Sequence, residues 1–382
     1  MSGRLTKIAY CWHSNSLTGA QRRFLALVSL LNARGVPAIV LIEKQNALAL
    51  ERVYGESIPN LVSFEWPWWV RLLGRGRTRN YSLWAGLGFR TLFHVTSKRY
   101  LSKIQKELGI SLWHVSMSSH FANSVPGPAL FEVTSPDWAE RIIQNIDTVP
   151  EDMLLHAVSE SVYRQLVQAL PNRKIQMAPV MFPNLDPTAM PYPQMKDKEK
   201  LIVFAHRFVS RKNGVLFAKN VHCFLDDNPD WRITFRGEGP DEIEIRRILS
   251  KYIEAGRVEV GYLPNLSEEL KRSRIFVSII ERDNYPSQSV LEAMVHGNAL
   301  LLSDRGHSRE KFFDSNGRMT ELDESSLLSN LKSLTSDMEQ LEQMGICSFR
   351  LANRKFSREK YLSHLFDIYQ QTTAAYENHS KN

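Results

Sequence analysis

Arg207 and Lys212 stand five positions apart, directly after the apolar run Leu201–Ala205, in the stretch His206-Arg207-Phe208-Val209-Ser210-Arg211-Lys212-Asn213-Gly214. A guanidinium and an ammonium at the carboxyl end of a strand can converge on one diphosphate, the first with two parallel hydrogen bonds and the second as a point charge. A second polar segment follows the apolar run Ile275–Ile280. There Glu281, Asp283 and Asn284 form a turn, Pro286 suits a helix start, and Ser287 or Ser289 can cap that helix. Amides exposed at such a start favour an anion such as a phosphate. Glu292, further along the same helix, can offer its carboxylate to the two hydroxyls of a ribose. Taken singly, the basic pair is two solvated loop residues and Glu292 a surface glutamate. Taken together they suggest a grip for a sugar nucleotide.

The elements that must position these residues follow from the alternation of short apolar strands with amphipathic helices, which predicts parallel sheets in an α/β protein. Lys7–Trp12 is the first strand. A turn through Ser14, Asn15 and Ser16 leads to Thr18-Gly19-Ala20 and a helix near Gln21–Arg34, with Phe24, Leu25, Leu27, Val28 and Leu31 on one face. Gly35 closes that helix and Pro37–Ile42 is the next strand. This is the first unit of a Rossmann-like domain. Further strands are predicted at Ser111–Val115, Ala129–Val133 and Leu154–Val158. From Pro179 to Lys200 five prolines and a Lys-Asp-Lys-Glu-Lys run interrupt the pattern. The alternation then restarts, with strands at Leu201–Ala205, Trp231–Arg236, Val258–Val260, Ile275–Ile280 and Ala299–Ser303. Helices are expected near Val215–Asp226, Ile243–Ala255, Ser267–Ser273 and Ser287–His296, and a long one over Phe356–Thr373. The chain is thus divided into an N-terminal Rossmann-like domain (1–182), a linker (183–199), a second Rossmann-like domain (200–352) and a final helix (353–376). The expected architecture is two Rossmann-like doubly wound domains facing a central cleft.

A chain of 382 residues exceeds what one core usually supports, which agrees with two domains. Cys11, Cys223 and Cys347 have no metal-ligand spacing and suit reduced core thiols in a cytoplasmic protein. No stretch has the length of an apolar signal or of a spanning helix. The net charge of +7 is unevenly placed: residues 66–106 hold nine Lys or Arg and no acid, so the rest of the chain sums to −2. Trp66, Trp68, Trp69 and Trp84 lie in the same segment. Cations interleaved with indoles suit an anionic membrane surface, which would place the protein peripherally at the inner face of the plasma membrane. They also suit a solvated basic face over core aromatics. Nucleic acid is the weakest fit, because no nucleic-acid module accompanies the patch.

On these residues the chain resembles the retaining glycosyltransferases of the two-domain glycosyltransferase-B fold, most strongly over residues 201–310 and less so over 7–34. The family's Arg-x4-Lys motif is matched by Arg207 and Lys212, which the resemblance implies hold the donor diphosphate. Its Gly-x-Gly-Pro turn is matched by Gly237-Glu238-Gly239-Pro240. Gly261-Tyr262 falls where the family contacts the base, and Glu292 in Leu291-Glu292-Ala293-Met294 matches its ribose-binding glutamate. Gly19 matches a loop glycine that approaches the donor phosphates. Ser287 and Ser289 are implied to give amides to the diphosphate. The resemblance also implies that the first domain binds the acceptor, that the second binds the nucleotide sugar, and that the final helix returns to the first domain. The family's first glutamate, eight positions before the second, falls on Asn284, with Asp283 beside it; either takes that role, Asp283 the better by its charge. The family's N-terminal histidine has no counterpart in the stretch from Glu132 to Asp137. Thr134, His120 and His114 are the nearby acceptor-side candidates.

The resemblance implies transfer of a sugar from a nucleotide donor to a hydroxyl of a glycan or lipid-linked acceptor, as in assembly of a bacterial surface polysaccharide or lipopolysaccharide. The anomeric configuration would be retained by a front-face route. With no Asp-x-Asp motif, neither metal nor other cofactor is expected, the nucleotide sugar being a co-substrate. A non-catalytic nucleotide- or glycan-binding relative, and an epimerase or phosphorylase on the same fold, are the alternatives.

Overall fold

The computed structural model describes residues 7–12, 19–54, 57–68, 70, 89–180, 182–282, 287–306, 308–312 and 315–381. The chain forms two compact units, Met1–Met181 with Glu359–Asn382, and Phe182–Arg358.

The first unit is built on a seven-stranded parallel sheet of β1 (Ile8–Trp12), β2 (Ala38–Glu43), β3 (Leu61–Phe64), β4 (Leu112–Ser116), β5 (Ala129–Val133), β6 (Leu154–Ala157) and β7 (Ile175–Met177). Their spatial order is β3-β2-β1-β4-β5-β6-β7. β1 and β4 are buried along their whole length, as strands covered on both faces must be. The crossovers run through α1 (Gly19–Ala33), α2 (Lys44–Tyr54), α3 (Phe89–Leu108), α4 (Ser119–Ala122), α5 (Pro136–Gln144) and α6 (Glu160–Ala169). α5 starts where Ser135 accepts the Trp138 amide and Pro136 occupies the first turn; Ser159 caps α6 through the Val162 amide.

The second unit carries a six-stranded parallel sheet of β8 (Leu201–Ala205), β9 (Arg232–Arg236), β10 (Val258–Gly261), β11 (Ile275–Ser278), β12 (Ala299–Ser303) and β13 (Gly317–Thr320), in the order β10-β9-β8-β11-β12-β13. That is the doubly wound order of a dinucleotide-binding sheet. Its helices are α7 (Gly214–Asp227), α8 (Glu242–Ile248), α9 (Ser250–Glu254), α10 (Ser267–Arg272), α11 (Gln288–Val295), α12 (Glu324–Thr335) and α13 (Met338–Lys355). Phe204, Phe217 and Phe235 pack ring to ring at 5.4–5.5 Å at the centre of the core. The single helix expected over 243–255 is broken at Leu249, whose side chain is buried together with those of Ile245 and Tyr252.

The proline-bearing stretch after Phe182 is held by this unit. Gln288 of α11 accepts the Asn184 amide at 3.0 Å and donates to the Phe182 carbonyl at 2.7 Å. Arg358 donates to the carbonyls of Pro183 and Asn184. Lys198 is buried and caps the end of α10, its ammonium donating to the carbonyls of Leu270, Lys271 and Ser273. The last helix, α14 (Arg358–Lys381), clusters from Glu359 onward with the first unit, where Tyr361, Leu362, Leu365, Ile368 and Tyr369 are buried. Both units are therefore Rossmann-like, as the alternation of strands and helices predicts.

Candidate functional site

In the second sheet the crossover direction reverses between β8 and β11, so the loops leaving these neighbouring strands diverge and open a crevice at their carboxyl ends. Arg207 and Lys212 lie on the first loop, Glu281 at the start of the second. The loops are joined: the Glu281 amide donates to the Arg211 carbonyl at 3.2 Å, and Asn213 Nδ2 donates to the Ile279 carbonyl at 3.1 Å. Asn213 adopts a left-handed conformation (φ 55°), which an asparagine tolerates better than most residues, and this turns the short helix Ser210–Lys212 into α7. Arg207 is exposed and Lys212 half-buried. Burial, and then the charges of Arg211 and Arg207, push the Lys212 ammonium down to about 8. His206 is pushed well below the ordinary imidazole range by its burial and by Lys212, and is neutral. A bound anion would reverse the pressure on Lys212.

The glycine turn after β9 supports this loop sterically. A Cβ on Gly237 would lie 1.9 Å from the His206 carbonyl oxygen, and one on Gly239 (φ 150°) 2.3 Å from that of Phe208. The Phe208 amide donates to the Glu238 carbonyl at 2.9 Å. The pattern needs its two glycines so that the backbone bearing Arg207 can rest on the neighbouring turn. Tyr262, after the edge strand β10, is 51% exposed.

Ser287 occupies the N-cap of α11, but its hydroxyl caps no amide and instead meets Ser289 Oγ at 3.5 Å. Glu292 is half-buried on the second turn of α11. Asp283 and Asn284 lie outside the described residues. The structure thus joins Arg207, Arg211 and Lys212 to Glu281 at one crevice, with Glu292 on the helix that follows. Arg211 is the member that the spacing argument passed over, although it sits between the two matched positions.

The acceptor-side candidates belong to the first unit. Its sheet reverses between β1 and β4. Gly19 opens α1 after β1, with residues 13–18 outside the described set, and His120 lies in the short α4 after β4. The first turn of α1 touches the segment after β4 where Gln21 Nε2 donates to Met117 Sδ at 3.5 Å. Thr134 follows β5 and is buried, one residue before the Ser135 cap.

The basic, tryptophan-bearing segment resolves into two parts. Trp66 is a core aromatic, packed on Phe64, Phe93, Tyr100 and Phe121 at 5.0–6.5 Å. Trp68 is 69% exposed, and α3 presents Leu92 and Val95 beside exposed Lys98, Arg99, Lys103 and Lys106. Trp69, Trp84 and the arginines between 71 and 79 lie outside the described residues. Among the described residues no helix is long and apolar enough to cross a membrane.

The expectation that no metal is needed is overturned by a buried group in the first unit. His114 on β4, Glu132 on β5 and His156 on β6 offer ligand atoms that all lie within 4.8 Å of one another, a geometry compatible with metal coordination. Glu132 and His156 are direct partners in the β5–β6 register. The sequence hides the group, because its members are separated by whole strand–helix units and have none of the short spacings by which ligand sets are recognised. Arg23 of α1 forms a fully buried ion pair with the same carboxylate, and Tyr361 of α14 donates to it at 3.2 Å. Burial works to raise the Glu132 carboxyl, but Arg23 and the two imidazoles hold it well below the carboxylate range. His114, a candidate on the acceptor side, is instead fully buried and bonded through Nδ1 to Tyr369 at 2.8 Å.

Residues 199–337 match the family model described as glycosyl transferases group 1. No curated protein matches the chain. Among solved structures, the chain is similar to a glycosyltransferase from Rickettsia africae ESF-5 (TM-score 0.68, 10% identity, covering 96% of this chain and 98% of that one). It is also similar to a mutant of S. aureus TarM in complex with fondaparinux, alpha-GlcNAc-glycerol and UDP (0.71, 12%, 95% and 99%). A third likeness is to Anabaena HepE in complex with UDP and glucose (0.68, 12%, 95% and 99%). At such identities these likenesses speak for the fold alone: the chain has the glycosyltransferase-B fold.

Proposed function

We propose that the protein is a glycosyltransferase that moves a sugar from a nucleoside diphosphate sugar to a hydroxyl of a glycan or lipid-linked acceptor, with retention at the anomeric carbon. The observation that carries the reading is the cationic crevice of Arg207, Arg211 and Lys212 at the switch point of the second sheet, within the segment that matches the glycosyl transferase model. In this reading Arg207 and Lys212 stabilise the diphosphate as negative charge builds on it during departure. The leaving phosphate takes the acceptor proton on the same face, so no side-chain nucleophile is needed. Glu292 holds the ribose, Tyr262 the base, and Asp283 or Asn284 the hydroxyls of the donor sugar. Ser287 and Ser289 supply amides at the start of α11. Two of the similar structures contain UDP, which makes UDP sugars the first donors to try.

The exposed face of α3 and the exposed Trp68 support an acceptor at an anionic lipid surface, as in polysaccharide or lipopolysaccharide assembly at the inner face of the membrane. Apolar side chains there can enter the headgroup layer while the lysines meet lipid phosphates.

The test is incubation with UDP, GDP and ADP sugars and a panel of lipid-linked and free glycan acceptors, with the product followed by NMR at the anomeric carbon. An α-linked product from an α-linked donor, formed only with acceptor, is expected. Interconversion of donors without acceptor, or nucleotide binding with no turnover on any acceptor, would replace the transferase reading by an epimerase or a non-catalytic binder.

A further inference from the structure

A cavity of about 660 Å³, a size usual for small-molecule sites, lies in the first unit. It sits at the amino ends of β5, β6 and β7, which Ala129, Leu154 and Ile175 open, and α14 and Lys98 of α3 contribute to its wall. Ligands of such sheets bind at the carboxyl ends of the strands. The cavity therefore belongs neither to the donor crevice nor to the acceptor-side loops, and the transfer chemistry makes no use of it.

Its wall carries charge, hydrogen-bonding groups and an apolar patch. Lys98, Arg173 and Lys174 stand against one acid, Asp152. Arg173 is tied by its terminal nitrogens to the carbonyls of Val149 and Pro150, whereas among the described residues neither Lys98 nor Lys174 forms an ion pair. Gln176 Nε2 donates to Gln371 Oε1 at 2.7 Å, which leaves Gln176 Oε1 to accept and Gln371 Nε2 to donate elsewhere. Thr372 Oγ1 and Arg173 Nε are buried in the same wall with no hydrogen-bond partner, a state rare enough in native proteins to require a cause. Met153, Leu154 and Ile175 form the apolar patch, and Tyr376, 42% exposed, adds an aromatic ring.

We propose that this cavity binds a phosphorylated polyol, a small molecule that joins a phosphate to neighbouring hydroxyls. Lys98 and Lys174 take the phosphate as point charges. The Gln176–Gln371 pair and Thr372 take the hydroxyls, and the carbon face of the polyol packs on Tyr376 and the apolar patch. The excess of cations argues against a metal or a cationic ligand, and the amides and hydroxyl argue against a purely apolar one. Two sources share this chemistry: a free glycerol or sugar phosphate, and the headgroup of a glycerophospholipid. Lys98 also belongs to the exposed face of α3, so the lipid surface proposed for that face would supply the second. A ligand held between the strand ends and α14 fastens the last helix to the first sheet and takes no part in sugar transfer.

The experiment titrates the full-length protein by calorimetry with glycerol phosphate, glucose phosphate and dihexanoyl phosphatidylglycerol below its micelle concentration, with inorganic phosphate as the reference. At least one polyol phosphate should bind saturably and more tightly than inorganic phosphate. Lys174→Glu should weaken that binding by about tenfold or more, and Ala375→Trp, which fills the cavity from α14, should abolish it. Arg207→Ala, in the donor crevice, should leave it intact. Binding of the free phosphates alone assigns a soluble ligand, and binding of phosphatidylglycerol alone assigns a headgroup. No saturable binding of any probe, an affinity no better than that of inorganic phosphate, binding unchanged in both wall variants, or its loss in Arg207→Ala would overturn the site. Lys174 and Ala375 are exposed, and an unchanged denaturation midpoint checks that each variant is folded. Should Ala375→Trp unfold, Lys174→Glu decides.

Discussion

Lys212 gives the proposed donor site a pH dependence whose sign and size follow from its surroundings. In the free protein its ammonium titrates at about 8, because burial and the charges of Arg211 and Arg207 oppose it. A diphosphate bound between these cations favours the charged form, so binding above pH 8 must take up a proton. At pH 7 about 90% of free Lys212 is charged, and at pH 9 about 10%. The dissociation constant of a nucleotide sugar should therefore rise about tenfold between pH 7 and 9, or ~1.4 kcal/mol. The sugar conjugate is the right probe, since its diphosphate has no group titrating in that range. Isothermal titration at several pH values reads the slope directly. Lys212→Met should bind weakly and with no such slope. The same shift acts on folding. Between pH 8 and the ordinary lysine range the unfolded chain binds more protons than the native one, so the unliganded protein gains stability as pH rises there. Below pH 8 the cost of charging is fully present, and Lys212→Met should be more heat-stable than wild type at pH 7. A wild-type affinity that is flat from pH 7 to 9, or an equal slope in Lys212→Met, would refute the reasoning.

Arg23→Met leaves the Glu132 carboxylate buried without its partner and should cost about 3–5 kcal/mol, with part of the loss recovered in the double variant Arg23→Met/Glu132→Gln; chemical denaturation with chelator present measures both. Gly237→Ala places a methyl against the His206 carbonyl oxygen and should destabilise by about 3 kcal/mol while weakening nucleotide binding, because the displaced backbone carries Arg207; denaturant midpoints and titration check the two effects. Charge reversal of Lys98, Arg99, Lys103 and Lys106 on α3 should abolish binding to vesicles containing anionic phospholipid, whereas neutral vesicles should bind neither form; co-sedimentation reads this, and equal, negligible wild-type binding to both vesicle types would remove the lipid-surface reading.

The strands buried on both faces were legible because they are continuous apolar runs: Ile8–Trp12, Leu201–Ala205 and Ala299–Ser303 are buried throughout. The strands that escaped the pattern are β3, β7 and β13, each at the edge of its sheet. They are short and half-exposed, and Ile175–Met177 and Gly317–Thr320 carry polar residues that no apolar run would mark. The meeting of Arg207 and Lys212 on one loop at the switch point was legible because both follow one strand at short range. The Glu132 group was not, since only the parallel register sets Glu132 opposite His156, and only the fold of the last helix adds Tyr361. Trp66 shows the limit of composition: its neighbours in sequence are basic, but its neighbours in space are aromatic rings.

The most direct measurement is the thermal shift of wild type and Arg207→Ala with UDP, GDP and ADP and their sugar conjugates. The account predicts that one nucleotide series stabilises the wild type and that Arg207→Ala, folded to the same extent, loses most of that stabilisation. Absence of any shift in the wild type, or an undiminished shift in Arg207→Ala, would contradict a donor site at the crevice between β8 and β11.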